Sequence, residues 1–175
     1  MARAKYGYAE SSDLRATNWG GHIHSVADEA NILENGMLVA LGKDITTEIR
    51  EAVTPTATSK VCLVLDVILP YDQSTTEGQA EYYHYPHELG EPTRAYELFE
   101  NDRFAICDYL VTAPLAGKGK PCVKGNYLVA DDNRKYKEVA AEGFNADSYG
   151  FAAVIQDIEQ KSNLTIYRLR VVKNS

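Results

Sequence analysis

The stretch YGFAAVIQDIEQKSNLTIYRLRVV (residues 149–172) decides the fold class. Its turn-forming residues at 161–163 separate two runs rich in β-branched and aromatic residues. In the second run Tyr167, Leu169 and Val171 alternate with two arginines, so the apolar side chains share one face of a strand and the arginines take the other. The stretch therefore predicts an antiparallel hairpin with one face in the core.

Similar strand patterns recur along the chain. The predicted pairs are MLVALG (37–42) with TTEIREAV (46–53), two strands within TRAYELFENDRFAICDYLV (93–111), and NYLVA (126–130) with KYKEV (135–139). The apolar run KVCLVLDVILPYD (60–72) predicts a further, buried strand. Hairpins at short intervals, without a long helical pattern, predict a mainly β protein: an antiparallel β-sandwich or a small barrel built from hairpins.

The predicted domain organisation is an extended N-terminal arm over residues 1–20 and a single β domain over 21–175. The first twenty residues are polar and have neither helical nor strand periodicity. We therefore expect the domain to fold without residues 1–19. Between residues 73 and 90 the polar and aromatic sequence predicts a long surface loop, and loops of that length often serve a contact.

Composition disfavours two classes of partner. The 25 acidic and 18 basic side chains give a net charge of -7, whereas a nucleic-acid surface needs clustered lysine and arginine. No run approaches the roughly 18 apolar residues that a membrane span requires. We therefore expect neither nucleic acid nor a membrane as partner.

Three widely spaced cysteines, Cys62, Cys107 and Cys122, do not form a disulfide framework or a thiolate metal motif. Cys62 and Cys107 lie in apolar strand-like runs, where cysteines usually pack as small hydrophobic side chains. The pattern gives little support to cysteine-based catalysis.

His22, His24, Glu29 and Gly36 have the spacing of the first cupin motif, in which two imidazoles and a carboxylate bind a divalent metal. A cupin also has a glycine where this chain has Ala16, and it needs a further histidine from a second motif. His84 and His87 are the candidates, but their surroundings lack that motif's glycines, proline and asparagine. A cupin-like metalloprotein using His22, His24 and Glu29 therefore stays an alternative, and the main prediction includes no metal or cofactor.

Tyrosine is unusually common, with twelve in the chain. Tyrosine side chains combine a large contact area with a hydrogen-bonding hydroxyl, which suits protein interfaces. The candidate interface residues are those of the arm and the long loop. They are Tyr6, Tyr8, Trp19, Tyr82, Tyr83 and Tyr85.

The sequence also resembles a protein family. The segments that carry the resemblance are ILENGMLVALGKDI (32–45), REAVTPT (50–56), VCLVLDVILPYD (61–72) and RAYELFENDRFAICDYLV (94–111). They are similar to the small head-associated proteins of tailed bacteriophages, in which an Asn-Gly turn leads into an apolar strand and a later strand carries a Gly-Asp turn. Here Asn101-Asp102 stands in place of that Gly-Asp.

The resemblance implies a virion structural protein, such as a capsid decoration or cement protein or a head fibre base, made in the host cytoplasm and located on the capsid exterior. Its partner would be the major capsid protein, it would have no enzymatic activity, and it would reinforce contacts between capsid subunits. Self-association into a homo-oligomer and a role as a tail or receptor-binding adaptor are left open.

Overall fold

The computed structural model describes residues 6–18, 20–66, 87–117, 119–161 and 164–175. The described strands, in chain order, are β1 (Ala9–Asp13), β2 (Ile23–Ala27), β3 (Leu38–Asp44), β4 (Ile49–Val53), β5 (Cys62–Val64), β6 (Thr93–Glu97), β7 (Arg103–Cys107), β8 (Val111–Ala113), β9 (Tyr127–Ala130), β10 (Tyr136–Val139), β11 (Phe151–Lys161) and β12 (Leu164–Asn174). The described helices are the single turn α1 (Arg15–Asn18) and two short 3-10 helices, Asp108–Leu110 and Ala146–Ser148. None of these helices is long and apolar enough to cross a lipid bilayer.

The strands form two sheets, and one of them is a small closed barrel. The barrel order is β2-β4-β3-β5-β6, and the open seven-stranded sheet has the order β1-β7-β12-β11-β9-β10-β8. Pairing is antiparallel except between β2 and β4 and between β8 and β10. The prediction of a mainly β fold with a small barrel is therefore confirmed.

The hairpin that decided the fold class is the long pair β11–β12. Its strands pair antiparallel from Phe151 opposite Asn174 to Lys161 opposite Leu164. Tyr167, Leu169 and Val171 are buried on one face, as the alternation predicted. The predicted pairs β3–β4 and β9–β10 are also present.

The predicted hairpin across residues 93–111 is wrong. The turn exists, because Asn101 has a positive φ of 74° and the Asp102 N–H donates to the Phe99 carbonyl. The two strands nevertheless separate: β6 pairs with β2 and β5 in the barrel, whereas β7 pairs with β1 and β12 in the open sheet. The buried Asp102 carboxylate also accepts the N–H of Arg15, which anchors the turn to the N-terminal segment instead of closing a hairpin.

The N-terminal segment also differs from the predicted arm. Residues 9–13 form β1, an edge strand paired with β7, and Leu14 and Ala16 are buried. The correction has a local cause: β1 carries only one buried side chain, Ala9, so its sequence lacks the alternation by which the other strands were predicted. This part of the chain completes the sheet of its own molecule.

Polar contacts of three side chains join the barrel to the open sheet, and those of Arg134 and Tyr136 are buried. In the β9–β10 turn the Arg134 guanidinium donates to the Ala52 carbonyl of β4 at 2.9 Å and pairs with Asp28. The Tyr136 hydroxyl donates to the Gly36 carbonyl at 2.9 Å. At the end of β12 the Asn174 side chain hydrogen-bonds both backbone groups of Val61. Since such groups are costly to bury without partners, these contacts fix how the two sheets meet.

Candidate functional site

Tyr6 and Tyr8 are the two predicted interface residues that the structure describes. Both are half-buried, and Tyr8 packs against the core while its hydroxyl donates to Glu10. The Tyr8 carbonyl accepts the N–H of Cys107 on β7. Both residues are therefore partly exposed, while the backbone of this segment is held by the domain. The other four predicted interface residues, Trp19, Tyr82, Tyr83 and Tyr85, lie outside the described residues.

The Tyr6–Tyr8 segment lies beside the residues from which the long loop starts and to which it returns. We call the group formed by Tyr6–Tyr8, Glu34, Asn35, Asp66 and His87 the loop-base corner. The buried Glu34 carboxylate accepts the Gly7 N–H at 2.6 Å. A Cβ at Gly7 would lie 2.6 Å from the Asn35 carbonyl oxygen, so only glycine allows this approach. The neighbouring Asn35 side chain then binds both backbone groups of Asp66, the last described residue before the loop, at 2.9 Å each.

His87, the first described residue after the loop, is held at the same corner. The backbone N–H of His87 donates to the Leu33 carbonyl at 2.9 Å. Its ring Nε2 lies 3.1 Å from the Thr93 hydroxyl and 3.3 Å from Asn35 Oδ1. Asn35 thus links Asp66 and His87, the described residues on either side of the stretch 67–86, whose sequence contains three of the predicted interface tyrosines. The structure therefore brings the N-terminal tyrosines together with the two described residues that flank that stretch.

The buried His87 makes the corner sensitive to pH. Burial lowers its pKa, although Glu91 and Asp66 oppose the shift. The unfolded chain takes up a proton near the ordinary pKa of 6.5, and the folded imidazole binds it less readily, so we expect the free energy of unfolding to fall as pH drops below 6.5. Urea unfolding at about pH 7.5 and about pH 5.5 measures this loss, and His87→Gln should reduce it.

Comparison of the variant with the natural chain is necessary because other groups titrate in the opposite sense. Burial raises the pKa values of Glu34 and Asp102, so their folded carboxyls bind protons more readily than the unfolded ones and add stability as pH falls. An equal change in stability for both proteins over this interval would show that His87 does not carry the effect.

The predicted cupin ligands are not brought together. The rings of His22 and His24 lie 5.9 Å apart, but the carboxylate that acts on His24 is Glu97 of β6, which also pairs with Lys60. Burial lowers the pKa of His24. Glu29 lies beyond the end of β2, and the described ranges contain no group of three or more His, Cys, Asp or Glu side chains able to hold a metal. His87 is engaged at the loop-base corner, and His84 lies outside the described residues.

The three cysteines are buried and free. Burial raises the pKa of Cys62 to about 12, that of Cys107 to about 11 and that of Cys122 to about 12. Since the thiolate is the reactive form, these positions suit packing and not nucleophilic attack near neutral pH.

The segment of residues 114–126, rich in Gly, Lys and Pro and predicted from sequence to be a flexible basic loop, is called the basic loop. The carboxylate of Glu138, 1% exposed, accepts the N–H of Leu115 at 2.7 Å and the N–H of Val123 at 2.8 Å. It also accepts the Asn126 side-chain amide at 2.7 Å. In the structure one buried carboxylate therefore holds the backbone at Leu115 close to the backbone at Val123. The sequence signal for this buried carboxylate was the alternation along β10, which places Glu138 on the same face as the buried Tyr136.

A second surface, the acidic patch, has a charge opposite to that of the basic loop. It consists of five exposed residues: Glu29, Ile32, Glu88, Leu89 and Glu91. Two backbone hydrogen bonds join its two segments: the Gly90 N–H donates to the Asp28 carbonyl, and the His87 N–H donates to the Leu33 carbonyl. These bonds hold the segments side by side. The patch thus combines exposed carboxylates with two large apolar side chains.

No protein-family model, curated protein or solved structure matches this chain.

Proposed function

We propose that this chain is a non-enzymatic virion structural protein that binds the outside of a tailed-phage capsid and reinforces contacts between neighbouring capsid subunits. The family context comes from the sequence resemblance. The observation that carries the binding role is the loop-base corner, where Glu34 holds Gly7 and Asn35 holds Asp66. Asp66 and His87, which flank the tyrosine-rich stretch, are thus held beside two further tyrosines, and tyrosines grouped in this way suit a protein-binding surface.

The proposed mechanism is mechanical. Each copy contacts more than one subunit of the major capsid protein, so separating those subunits also requires breaking the contact with this chain. Many copies act together, and weak individual contacts then give a large combined effect. The proposed contact residues are Tyr6, Tyr8, Trp19, Tyr82, Tyr83 and Tyr85. The net charge of -7 is consistent with a partner other than the packaged genome.

Co-sedimentation with empty shells tests the proposal. The probe is an empty shell assembled from the major capsid protein of a tailed phage, mixed with purified protein. We expect the natural chain to sediment with the shells, and the triple substitution Tyr82→Ala, Tyr83→Ala, Tyr85→Ala to lower the apparent affinity by about tenfold or more, as expected for aromatic contact residues.

The matched control is Tyr149→Ala. Tyr149 is half-buried and stacks on Phe144 at a centroid distance of 5.7 Å, and it takes no part in the loop-base corner. We expect its replacement to leave the occupancy of the shells unchanged. Failure of the natural chain to sediment with shells, or full occupancy by the triple variant, would contradict the proposed function.

A further inference from the structure

Two surfaces of the described chain, the basic loop and the acidic patch, each carry two exposed large hydrophobic side chains. Seven large hydrophobic side chains are exposed among the described residues: Ile23, Ile32, Ile45, Val53, Leu89, Leu115 and Val123. Four of the seven, and the four most exposed, occur as two pairs: Leu115 and Val123 on the basic loop, and Ile32 and Leu89 on the acidic patch, each between 50% and 58% exposed. Paired exposed aliphatic side chains are typical of interaction sites, whereas isolated ones need no explanation.

The two surfaces have opposite charge. The basic loop contains Lys118, Lys120 and Lys124 and no acidic residue, and of the two described lysines only Lys124 has a side-chain ion pair, an exposed one with Asp157 at 3.1 Å. The two segments of the acidic patch, residues 28–34 and 87–91, contain five acidic residues and no lysine or arginine. Arg134 pairs with Asp28 below the patch, and the three carboxylates named in it stay exposed. Such complementarity steers association and fixes its register.

The basic loop is prepared for docking by Glu138. A carboxylate buried without a lysine or arginine ion pair among the described residues is costly, and its hydrogen bonds to Leu115, Val123 and Asn126 offset that cost only while the loop keeps its shape. The two apolar side chains are therefore held close together before any partner binds. Binding then does not require the loop to be ordered, which removes a usual cost of association.

We propose that the basic loop of one copy docks on the acidic patch of a second copy of this chain, with Leu115 and Val123 against Ile32 and Leu89. Every copy supplies both halves of the contact in equal amount, which makes the chain itself the partner with the matching charge and apolar surface. Because the two halves differ, the contact is head to tail. When two copies bind, one keeps a free acidic patch and the other a free basic loop, so further copies can add to form rings or open chains. The proposal does not depend on capsid binding.

Analytical ultracentrifugation of the purified full chain tests it. We expect association that grows with protein concentration and weakens with added salt. Leu115→Ser with Val123→Ser inactivates the basic loop, and Ile32→Ser with Leu89→Ser inactivates the acidic patch. Each double variant alone should associate at least about tenfold more weakly than the natural chain.

Mixing the two double variants gives the sharpest result. The intact patch of the first can bind the intact loop of the second, so an equimolar mixture should form heterodimers that do not grow further. The control pair Ile23→Ser with Ile45→Ser removes exposed apolar side chains of the barrel side and should leave association unchanged. A natural chain that stays monomeric up to about 1 mM, or a mixture without heterodimers, would overturn the proposal. Failure here leaves the shell co-sedimentation result unaffected, so the two proposals are tested separately.

Discussion

Replacing Arg134 with alanine is expected to lower the free energy of unfolding by about 3–5 kcal/mol, because it leaves the carboxylate of Asp28 buried without its cation. The two side chains are 7% and 9% exposed. The guanidinium also donates to the Ala52 carbonyl at 2.9 Å and to the Thr54 hydroxyl at 3.2 Å, so the loss affects the joint between the two sheets. Urea unfolding followed by circular dichroism near neutral pH measures the change.

Two controls separate the buried pair from a general effect of losing an arginine. Arg103→Ala removes an exposed arginine from β7 and should change stability by less than about 0.5 kcal/mol. Adding Asp28→Asn to Arg134→Ala should restore part of the loss, since the unpaired charge is then removed. A loss below about 1 kcal/mol for Arg134→Ala alone would show that the pair contributes little.

The contribution of Asp28 also has a defined pH dependence. Burial opposes its ionisation, but hydrogen bonds from the Ala30 N–H, Arg134 and Asn31 hold its pKa below the ordinary value of 3.8. A depressed folded pKa gives stability that is present above 3.8 and is lost as pH falls through the folded pKa. The difference in the free energy of unfolding between the natural chain and Arg134→Ala should therefore become smaller as pH falls below 3.8.

Removing residues 1–18 is expected to leave the chain largely unfolded. The deletion removes β1 from the edge of β7 and exposes the surface that Leu14, 1% exposed, covers. It also removes the Arg15 N–H from the buried Asp102 carboxylate. Leu14→Ala alone should lower the free energy of unfolding by about 2–5 kcal/mol, the usual cost of a cavity at a buried leucine. Urea unfolding measures the substitution, and near-ultraviolet circular dichroism reports whether the truncated chain keeps fixed side-chain packing.

The matched control is Ser12→Ala on β1, where the side chain is exposed. We expect a change of less than about 0.5 kcal/mol for this variant. If the truncated chain instead unfolds cooperatively with the stability of the full chain, residues 9–18 do not belong to the folded body, and the arm predicted from sequence is restored.

Local pattern predicted the parts of the fold in which neighbours in sequence are neighbours in space. In β11 and β12 the alternation and the turn fall within one stretch, and the pairing followed. Across residues 93–111 the same signs were present, yet β6 and β7 belong to different sheets. Alternation indicates that a segment is a strand with one buried face but not which strand lies beside it, and the choice depends on distant partners.

The candidate site was predictable only in part, for a related reason. The tyrosine content indicated an interface, but nothing in the sequence places Gly7 against Glu34, 27 residues away, or Asn35 against Asp66. The basic loop was recognised by its lysines and judged flexible, because the carboxylate of Glu138 that fixes it lies on β10, beyond the end of the loop. Charge and composition identify the segments that meet, whereas buried hydrogen bonds decide their arrangement.

Binding to the capsid exterior is tested most directly by electron cryomicroscopy of phage heads produced with and without this chain. The proposed function requires density of the size of this protein on the outer surface of complete heads, in contact with at least two capsid subunits. That density should be absent from heads made without the chain and should return when purified protein is added. Identical outer surfaces in the two preparations would contradict it.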